Sequence, residues 1–317
     1  MAVQILLLLL GLVVLIAGAE WMVRGASDLA RKYHVPDLII GLTVVAFGTS
    51  APELVVNLFA STSDHQDIVF GNILGSNNFN IFIILGIAGM VYPLKVQMST
   101  IWKEIPMSLA ALAVLFLMVN IPFRGEHYLG RIDGLILLSL FVLFQYYIYN
   151  QIKNNKQEEN EPVINIRLAT TIILIILGLA GLVAGGKLVV NNAVLLAKAL
   201  GISEKVIGLT IIAAGTSLPE LATSVVAALK KKTDIAVGNV VGSNLFNILL
   251  IGGTVAVVKP VPYSSTFNTD FFVLAAGTVI LFVNMFTWKK HRLDRWEAAL
   301  LFSSYAIYTI FLITRKA

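Results

Sequence analysis

The sequence predicts an all-α polytopic membrane protein: ten transmembrane helices arranged as two inverted five-helix repeats. Three observations predict it. Of 317 residues, 57% are hydrophobic and 13% charged, with mean hydropathy +0.85; a soluble domain carries about 25% charged residues. The stretch Gly41 to Asn80 recurs as Gly208 to Asn247 at a constant offset of 167, with twenty of forty positions identical. Each copy holds five apolar segments, and an odd number of spans turns the second copy over in the bilayer.

Composition also excludes. Cysteine is absent, so disulfides, thiolate metal sites and thiol redox chemistry are unavailable. The four His show no metal-ligand spacing. A formal charge of +5 would suggest nucleic acid in a soluble protein; here the bases sit in loops, where they orient a membrane chain. No Gly-x-x-x-x-Gly-Lys-Ser/Thr loop is present, which disfavours an ATP-driven pump. Nothing calls for an obligatory protein partner or a cofactor.

A span of about 30 Å needs about 20 residues. The apolar segments lie near 2–23, 37–61, 67–92, 102–121, 129–150, 166–191, 204–229, 234–258, 268–287 and 294–313. The first resembles a signal peptide, with an apolar run from Leu6 to Leu15 before Ala17-Gly18-Ala19. It lacks the positive leading region of such signals. Gly18, Ala26 and Ala30 also match Gly185, Ala193 and Ala197 at the repeat offset, so it is expected to stay as a helix. The polar stretch Asn150 to Glu161 reads as a solvated linker. It divides the chain into residues 1–150, a linker at 151–165, and residues 166–317. Arg131-Ile132-Asp133 matches Arg292-Leu293-Asp294 at an offset of 161, extending the repeat to the last helix of each half. With the N-terminus outside, 15 of the 23 Lys and Arg fall on the inner side. The positive-inside rule therefore expects both termini outside and a cytoplasmic linker.

The second segment carries Gly48, Thr49, Ser50, Pro52 and Glu53 near its middle. Pro52 lacks an N–H and its ring clashes with the carbonyl of Gly48, so the helix is expected to kink or break. Thr49 and Glu53, four apart, share a face. Hydroxyl, carboxylate and loosened backbone oxygens thus converge. Gly215, Thr216, Ser217, Pro219 and Glu220 repeat the arrangement. In the third segment Ser76 and Asn80 share a face, as do Ser243 and Asn247 in the eighth. Gly71 with Gly75, and Gly238 with Gly242, offer small surfaces for close helix contact. Asn72, Asn77, Asn239 and Asn244 are placed to hydrogen-bond across helices or line a path.

Alone, a Gly, Ser or Thr in a membrane helix is ordinary packing. A midplane Glu is different: intramembrane carboxylates are costly and functional by default. No Lys or Arg in these central segments offers Glu53 or Glu220 a salt bridge. Oxygen-only ligands suit hard cations, Ca²⁺ above all and Na⁺ with it. Other charges read as helix-end features. Glu20, Asp28 and Lys187 suit snorkelling or loop solvation. Glu104, Asp270, Asp133 and Asp294 suit helix N-termini. Lys230-Lys231-Lys232 suits a topology signal.

The paired Gly-Thr-Ser-x-Pro-Glu and Gly-Ser-Asn-x-Phe-Asn segments resemble the two alpha-repeats of the sodium/calcium exchanger family, within the cation/calcium exchanger superfamily. The resemblance covers nearly the whole chain. It implies a Ca²⁺ site flanked by Na⁺ sites. By motif match the ligands would be Glu53, Glu220, Thr49, Ser50, Thr216, Ser217, Ser76, Asn80, Ser243 and Asn247, with the backbone carbonyls of Ala46 and Ala213. It implies antiport by alternating access, with helices 1 and 6 sliding as a pair. Asn247 stands where potassium-dependent members carry Asp, so K⁺ independence is expected. Ala51 stands where Leu is commoner, a departure with no mechanistic weight. H⁺/Ca²⁺ antiport through the same carboxylates is the alternative; a passive cation channel is the rival of another class.

Overall fold

The computed structural model describes residues 1–62, 67–121, 127–154, 167–200, 213–288 and 290–314. Its helices are α1 (Ala2–Tyr33), α2 (Asp37–Thr49), α3 (Ala51–Thr62), α4 (Ile68–Val91), α5 (Thr100–Asn120), α6 (Arg131–Lys153) and α7 (Leu168–Leu196). They continue with α8 (Leu218–Leu229), α9 (Thr233–Val258), α10 (Ser265–Asn284) and α11 (Arg295–Thr314). Among the described residues, seven helices are long and apolar enough to cross a membrane, or eight when α2 and α3 count as one bent span. Residues 204–212, the expected start of the seventh segment, lie outside the described residues, as do residues 155–166 of the linker region.

The centre of the bundle is α4 and α9. Of their apolar windows 67% and 83% are buried, against 22% for α1, α6 and α7. The outer helices present apolar side chains such as Leu6, Phe59 and Ile307 outward, as lipid contact requires.

The expected end of the first helix, near residue 23, is corrected: α1 runs on to Tyr33. Gly25, Ala26, Ser27 and Ala30 are buried, so packing holds the helix together beyond the apolar run. At 1.5 Å per residue it is about 48 Å long, so it tilts or projects from a bilayer. Arg31 and Lys32 suit its negative C-terminal end, and left-handed His34 caps it. α7 lies antiparallel along α1. A Cβ added at Gly18 would sit 2.6 Å from the Leu182 N and 2.8 Å from the Gly178 O. One at Gly185 would sit 2.5 Å from the Leu15 N, and one at Gly25 2.8 Å from Ile175 Cγ1. Only glycine permits this backbone approach.

The expected break in the second segment is present. α2 and α3 meet at 45° around Ser50, whose φ and ψ are −83° and 1°. Ser217, ahead of α8 and Pro219, has −90° and 6°. Both Ser occupy the bridge region between helical turns. The glycine surface of α9 also behaves as expected: Cβ atoms at Gly238 and Gly242 would lie 2.7 Å from Leu38 O and 2.8 Å from Ala46 Cβ of α2. Gly71 and Gly75 of α4 face no such close backbone among the described residues.

Two features fall outside the sequence expectations. First, two antiparallel ladders of two residues each tie the bundle ends. Leu94–Lys95 (β1) pairs with Arg292–Leu293 (β4), and Tyr128–Leu129 (β2) with Val261–Pro262 (β3). Second, the Arg-x-Asp match at 161 is not the structural correspondence. β2 and β4, and the starts of α6 and α11, are 164 apart. At each helix start a carboxylate three residues in accepts a backbone N–H: Asp133 from Gly130 at 2.8 Å, and Glu297 from Asp294 at 2.9 Å. Asp133 therefore corresponds to Glu297, because the capping geometry fixes the register where residue likeness does not.

One other helix-end reading is also corrected, and several charges gain partners that were not expected. Glu104 lies within α5, 1% exposed, and accepts a hydrogen bond from Tyr147 of α6. Asp270 does open α10, but it also accepts from Tyr308 of α11. Each carboxylate thus ties two helices. Lys230 pairs with Glu20 at 3.0 Å and Lys232 with Asp37 at 2.7 Å, so these two lysines have protein partners. Lys232 and Asp37 are about a quarter exposed, and a Lys232→Ala/Asp37→Ala double-mutant cycle is expected to give roughly 0.5–1 kcal/mol of coupling by thermal unfolding. Glu20 is 59% exposed, and its pair is expected to give less.

Candidate functional site

The two helix breaks face each other across α4 and α9. Each places a Ser, a Pro and a Glu in sequence, and the buried carboxylates are Glu53 and Glu220, both 1% exposed. Each carboxylate is held by the serine of the other break. Ser50 Oγ donates to Glu220 Oε1 at 3.1 Å, and Ser217 Oγ to Glu53 Oε1 at 3.3 Å. Ser50 Oγ also lies 3.0 Å from Ser243 Oγ of α9. The motif halves therefore meet in one cluster, through contacts 164 to 193 residues apart in the chain.

The threonines are braced from behind. Thr49 Oγ1 lies 3.1 Å from the Val45 carbonyl, 3.4 Å from the Ala46 carbonyl and 3.1 Å from Asn239 Oδ1. Thr216 Oγ1 accepts from Asn72 Nδ2 at 3.3 Å. The Ala46 carbonyl already accepts the Ser50 N–H at 3.0 Å; Ala213 begins the helical turn Ala213–Gly215. Thr49 and Ser50 are buried, while Thr216 is half-buried.

An amide network joins α4 to α9. Asn80 Nδ2 donates to Asn244 Oδ1, and Asn247 Nδ2 to Asn77 Oδ1, both at 2.9 Å. Asn77 Nδ2 adds a bond to the Asn244 carbonyl at 3.3 Å. The expected cross-helix role of Asn72, Asn77, Asn239 and Asn244 is thus present. The backbone is widened at the same places. π-helical segments cover Asn80–Ile84 and Phe246–Ile251, and such bulges concentrate at functional sites.

Two residues escaped the sequence reading. Asn57 Nδ2 bonds the Glu53 carbonyl at 2.7 Å and Asn72 Oδ1 at 2.6 Å. Ser224, at the matching position, accepts from Asn239 Nδ2 at 3.0 Å. They lie one turn after each Glu, at the offset of 167, and that spacing was the available signal. The Asn-for-Ser exchange hid it.

Most of the polar atoms left over near the network are acceptors, with one unpaired donor, Asn244 Nδ2, among them. Glu53 Oε2, Glu220 Oε2, Asn80 Oδ1, Asn247 Oδ1 and Ser76 Oγ are buried without a hydrogen-bond partner. The donors of both Asn side chains are directed into the network, which leaves the acceptors free. An unsatisfied buried acceptor costs about 1–3 kcal/mol. A cluster of acceptors with two carboxylates is a ligand set for a hard cation. Among the described residues no group of three or more His, Cys, Asp or Glu is close enough to hold a metal, so the remaining ligands would be neutral oxygens.

Helical membrane fold and buried oxygen-rich carboxylate pair point to a class: the membrane ion transporters. The family model for the sodium/calcium exchanger protein matches residues 3–150 and 170–314, and the chain belongs to that family. It is 32% identical to the sodium/calcium exchanger MaX1 of Methanosarcina acetivorans, over 98% of each chain. It is 36% identical to the inner membrane protein YrbG of Escherichia coli, over 86% of each. The structure superposes on the sodium-calcium exchanger NCX_Mj soaked with 10 mM Na⁺ and zero Ca²⁺ with a TM-score of 0.82, at 32% identity and 99% coverage of each chain. Members of this family exchange calcium for another cation and sit in membranes.

Proposed function

We propose that the chain is a Na⁺/Ca²⁺ antiporter working by alternating access, independent of K⁺. The observation that carries this reading is the cluster of unpartnered acceptors on Glu53, Glu220, Asn80, Asn247 and Ser76. One Ca²⁺ or about two Na⁺ would neutralise the two carboxylates, so the ions compete for the same oxygens. Glu53 and Glu220 are the charged ligands. Thr49, Ser50, Thr216, Ser217, Ser76, Asn80, Ser243 and Asn247, with the carbonyls of Ala46 and Ala213, complete the shell.

The proposed architecture has ten spans in two inverted halves, 1–150 and 166–317, joined by a cytoplasmic linker at 151–165, with both termini outside. The apolar segment at 204–229, which contains α8, and α11 would supply the two spans beyond the eight. The glycine seam between α1 and α7 makes that pair one body, which would slide across the site. An empty site leaves two carboxylates facing each other in a low-dielectric interior, which resists occlusion. A filled site cancels the charge and permits the step. Exchange without leak follows.

Ca²⁺ uptake into proteoliposomes under separately imposed Na⁺, K⁺ and H⁺ gradients tests the reading. Uptake driven by Na⁺ alone is expected. Uptake driven by a pH gradient without Na⁺ would replace Na⁺ by H⁺; persistent Ca²⁺ flux without any counter-ion would make the protein a channel. Protonation of Glu53 or Glu220 removes the charge that holds the cation. Na⁺-driven uptake is therefore expected to fall as pH is lowered and recover as it is raised, measured with ⁴⁵Ca²⁺ at fixed Na⁺ gradient.

A further inference from the structure

Away from the carboxylate pair, the loop from α10 to α11 borders an open depression of about 530 Å³. Its walls are Tyr92, Pro93, Trp288, Trp296, Arg292 and Arg295, with Asp294 beside them. Trp288 is 80% exposed and Trp296 53%. Trp288 also has a φ of 37°, a conformation that sterics disfavour for a bulky L-residue. No burial of the ring compensates. A strained backbone that projects an indole outward points to a role outside the fold's own packing.

The place fits a lipid surface. The depression lies where α4 and α10 end and α11 begins, which is the water-facing rim of a membrane bundle. Three of the four Trp gather there: Trp102, at the start of α5, packs on Phe282 and Phe286 with ring centroids 5.6 and 5.4 Å apart. Trp is enriched at this depth of a bilayer.

The polar groups define the headgroup. Arg292 Nε lies 3.0 Å from Asp294 Oδ1, an ion pair in which Nε is buried and not hydrogen-bonded, while the Arg292 side chain is 30% exposed. Arg295 Nη2 makes one long bond, 3.5 Å, to the Val91 carbonyl. Asp294 Oδ2 is buried without a hydrogen-bond partner. Of the charged side chains that line the depression, two are guanidinium groups and one is a carboxylate; the Glu297 carboxylate accepts from the Asp294 N–H and is itself 0% exposed. A guanidinium fork matches a phosphate. The free carboxylate oxygen asks for a hydroxyl donor.

We propose that this depression binds the headgroup of an anionic phospholipid with a hydroxyl in its headgroup, of the phosphatidylglycerol type. The phosphate sits on Arg292 and Arg295, the headgroup hydroxyl on Asp294 Oδ2, and the glycerol and upper acyl chains against Trp288 and Trp296. On the proposed orientation this is the cytoplasmic rim, where a basic pocket between helices meets anionic lipid.

The test uses the full chain purified in detergent, with retained lipid counted by native mass spectrometry during titration with palmitoyl-oleoyl phosphatidylglycerol, phosphatidylethanolamine or phosphatidylcholine. One phosphatidylglycerol is expected to be retained at a concentration at least tenfold below that for phosphatidylcholine. Arg292→Gln/Arg295→Gln is expected to abolish that difference; Arg131→Gln, at the opposite rim, to leave it unchanged. Should the double variant fail to fold, Arg295→Lys is expected to weaken the preference, and on wild-type protein the preference is expected to shrink between about 0.05 and 0.5 M salt. Equal retention of the three lipids, phosphatidylethanolamine held as tightly as phosphatidylglycerol, or a preference untouched by both variants and by salt would overturn the proposal.

Discussion

Glu53→Gln and Glu220→Gln are each expected to reduce Na⁺-driven Ca²⁺ uptake at least 100-fold. Gln keeps the shape and one acceptor, so Ser217 and Ser50 retain a partner. It removes half the charge available to a divalent cation. A factor of 100 is about 2.7 kcal/mol of lost binding, modest for deleting one of two carboxylate ligands. Stability separates lost function from lost fold. Without Ca²⁺ the variants should melt at or above the wild-type temperature, because one buried charge is gone. With Ca²⁺, wild-type protein should gain about 2.7 kcal/mol at 100 times its Kd, and the variants should not. Uptake retained in either variant would end the two-carboxylate scheme.

Gly18→Ala is expected to destabilise the protein by about 1–3 kcal/mol and to depress exchange, while Gly186→Ala is tolerated. The two glycines sit on facing helices and differ in what surrounds them. At Gly18 the added carbon meets the Leu182 N at 2.6 Å and the Gly178 O at 2.8 Å. These are backbone atoms, so no rotamer change relieves the clash and α1 must move away from α7. At Gly186 the nearest atom is Leu15 Cδ1 at 3.9 Å, an ordinary contact. Melting temperature in detergent and ⁴⁵Ca²⁺ uptake read both effects. Equal behaviour of the two variants would remove the seam as the reason α1 and α7 act together.

Much of this chain is legible one helix at a time. A run of apolar residues forces a helix in lipid, since no other spanning structure satisfies its own backbone. Pro52 and Pro219 break their helices through an atom four residues away, and the bends at Ser50 and Ser217 lie where that local rule puts them. The carboxylates were legible because charge is so costly in such a segment. The partners of Glu104 and Lys230, Tyr147 and Glu20, were not legible for the complementary reason: each stands on another helix, which no local rule supplies.

By itself the sequence determined the membrane setting, the duplicated motif, the helix breaks and the identity of the two buried carboxylates. These follow from hydropathy, sequence offset and backbone sterics, all of which act within a few turns of chain. Only the tertiary structure decided that Ser50 holds Glu220 and Ser217 holds Glu53, and that Asn80 and Asn247 spend donors on Asn244 and Asn77 and leave their own oxygens bare. It also decided that the capped starts of α6 and α11 correspond at 164 residues. Those facts depend on which helix stands opposite which, and packing sets that choice across more than 150 residues of intervening chain.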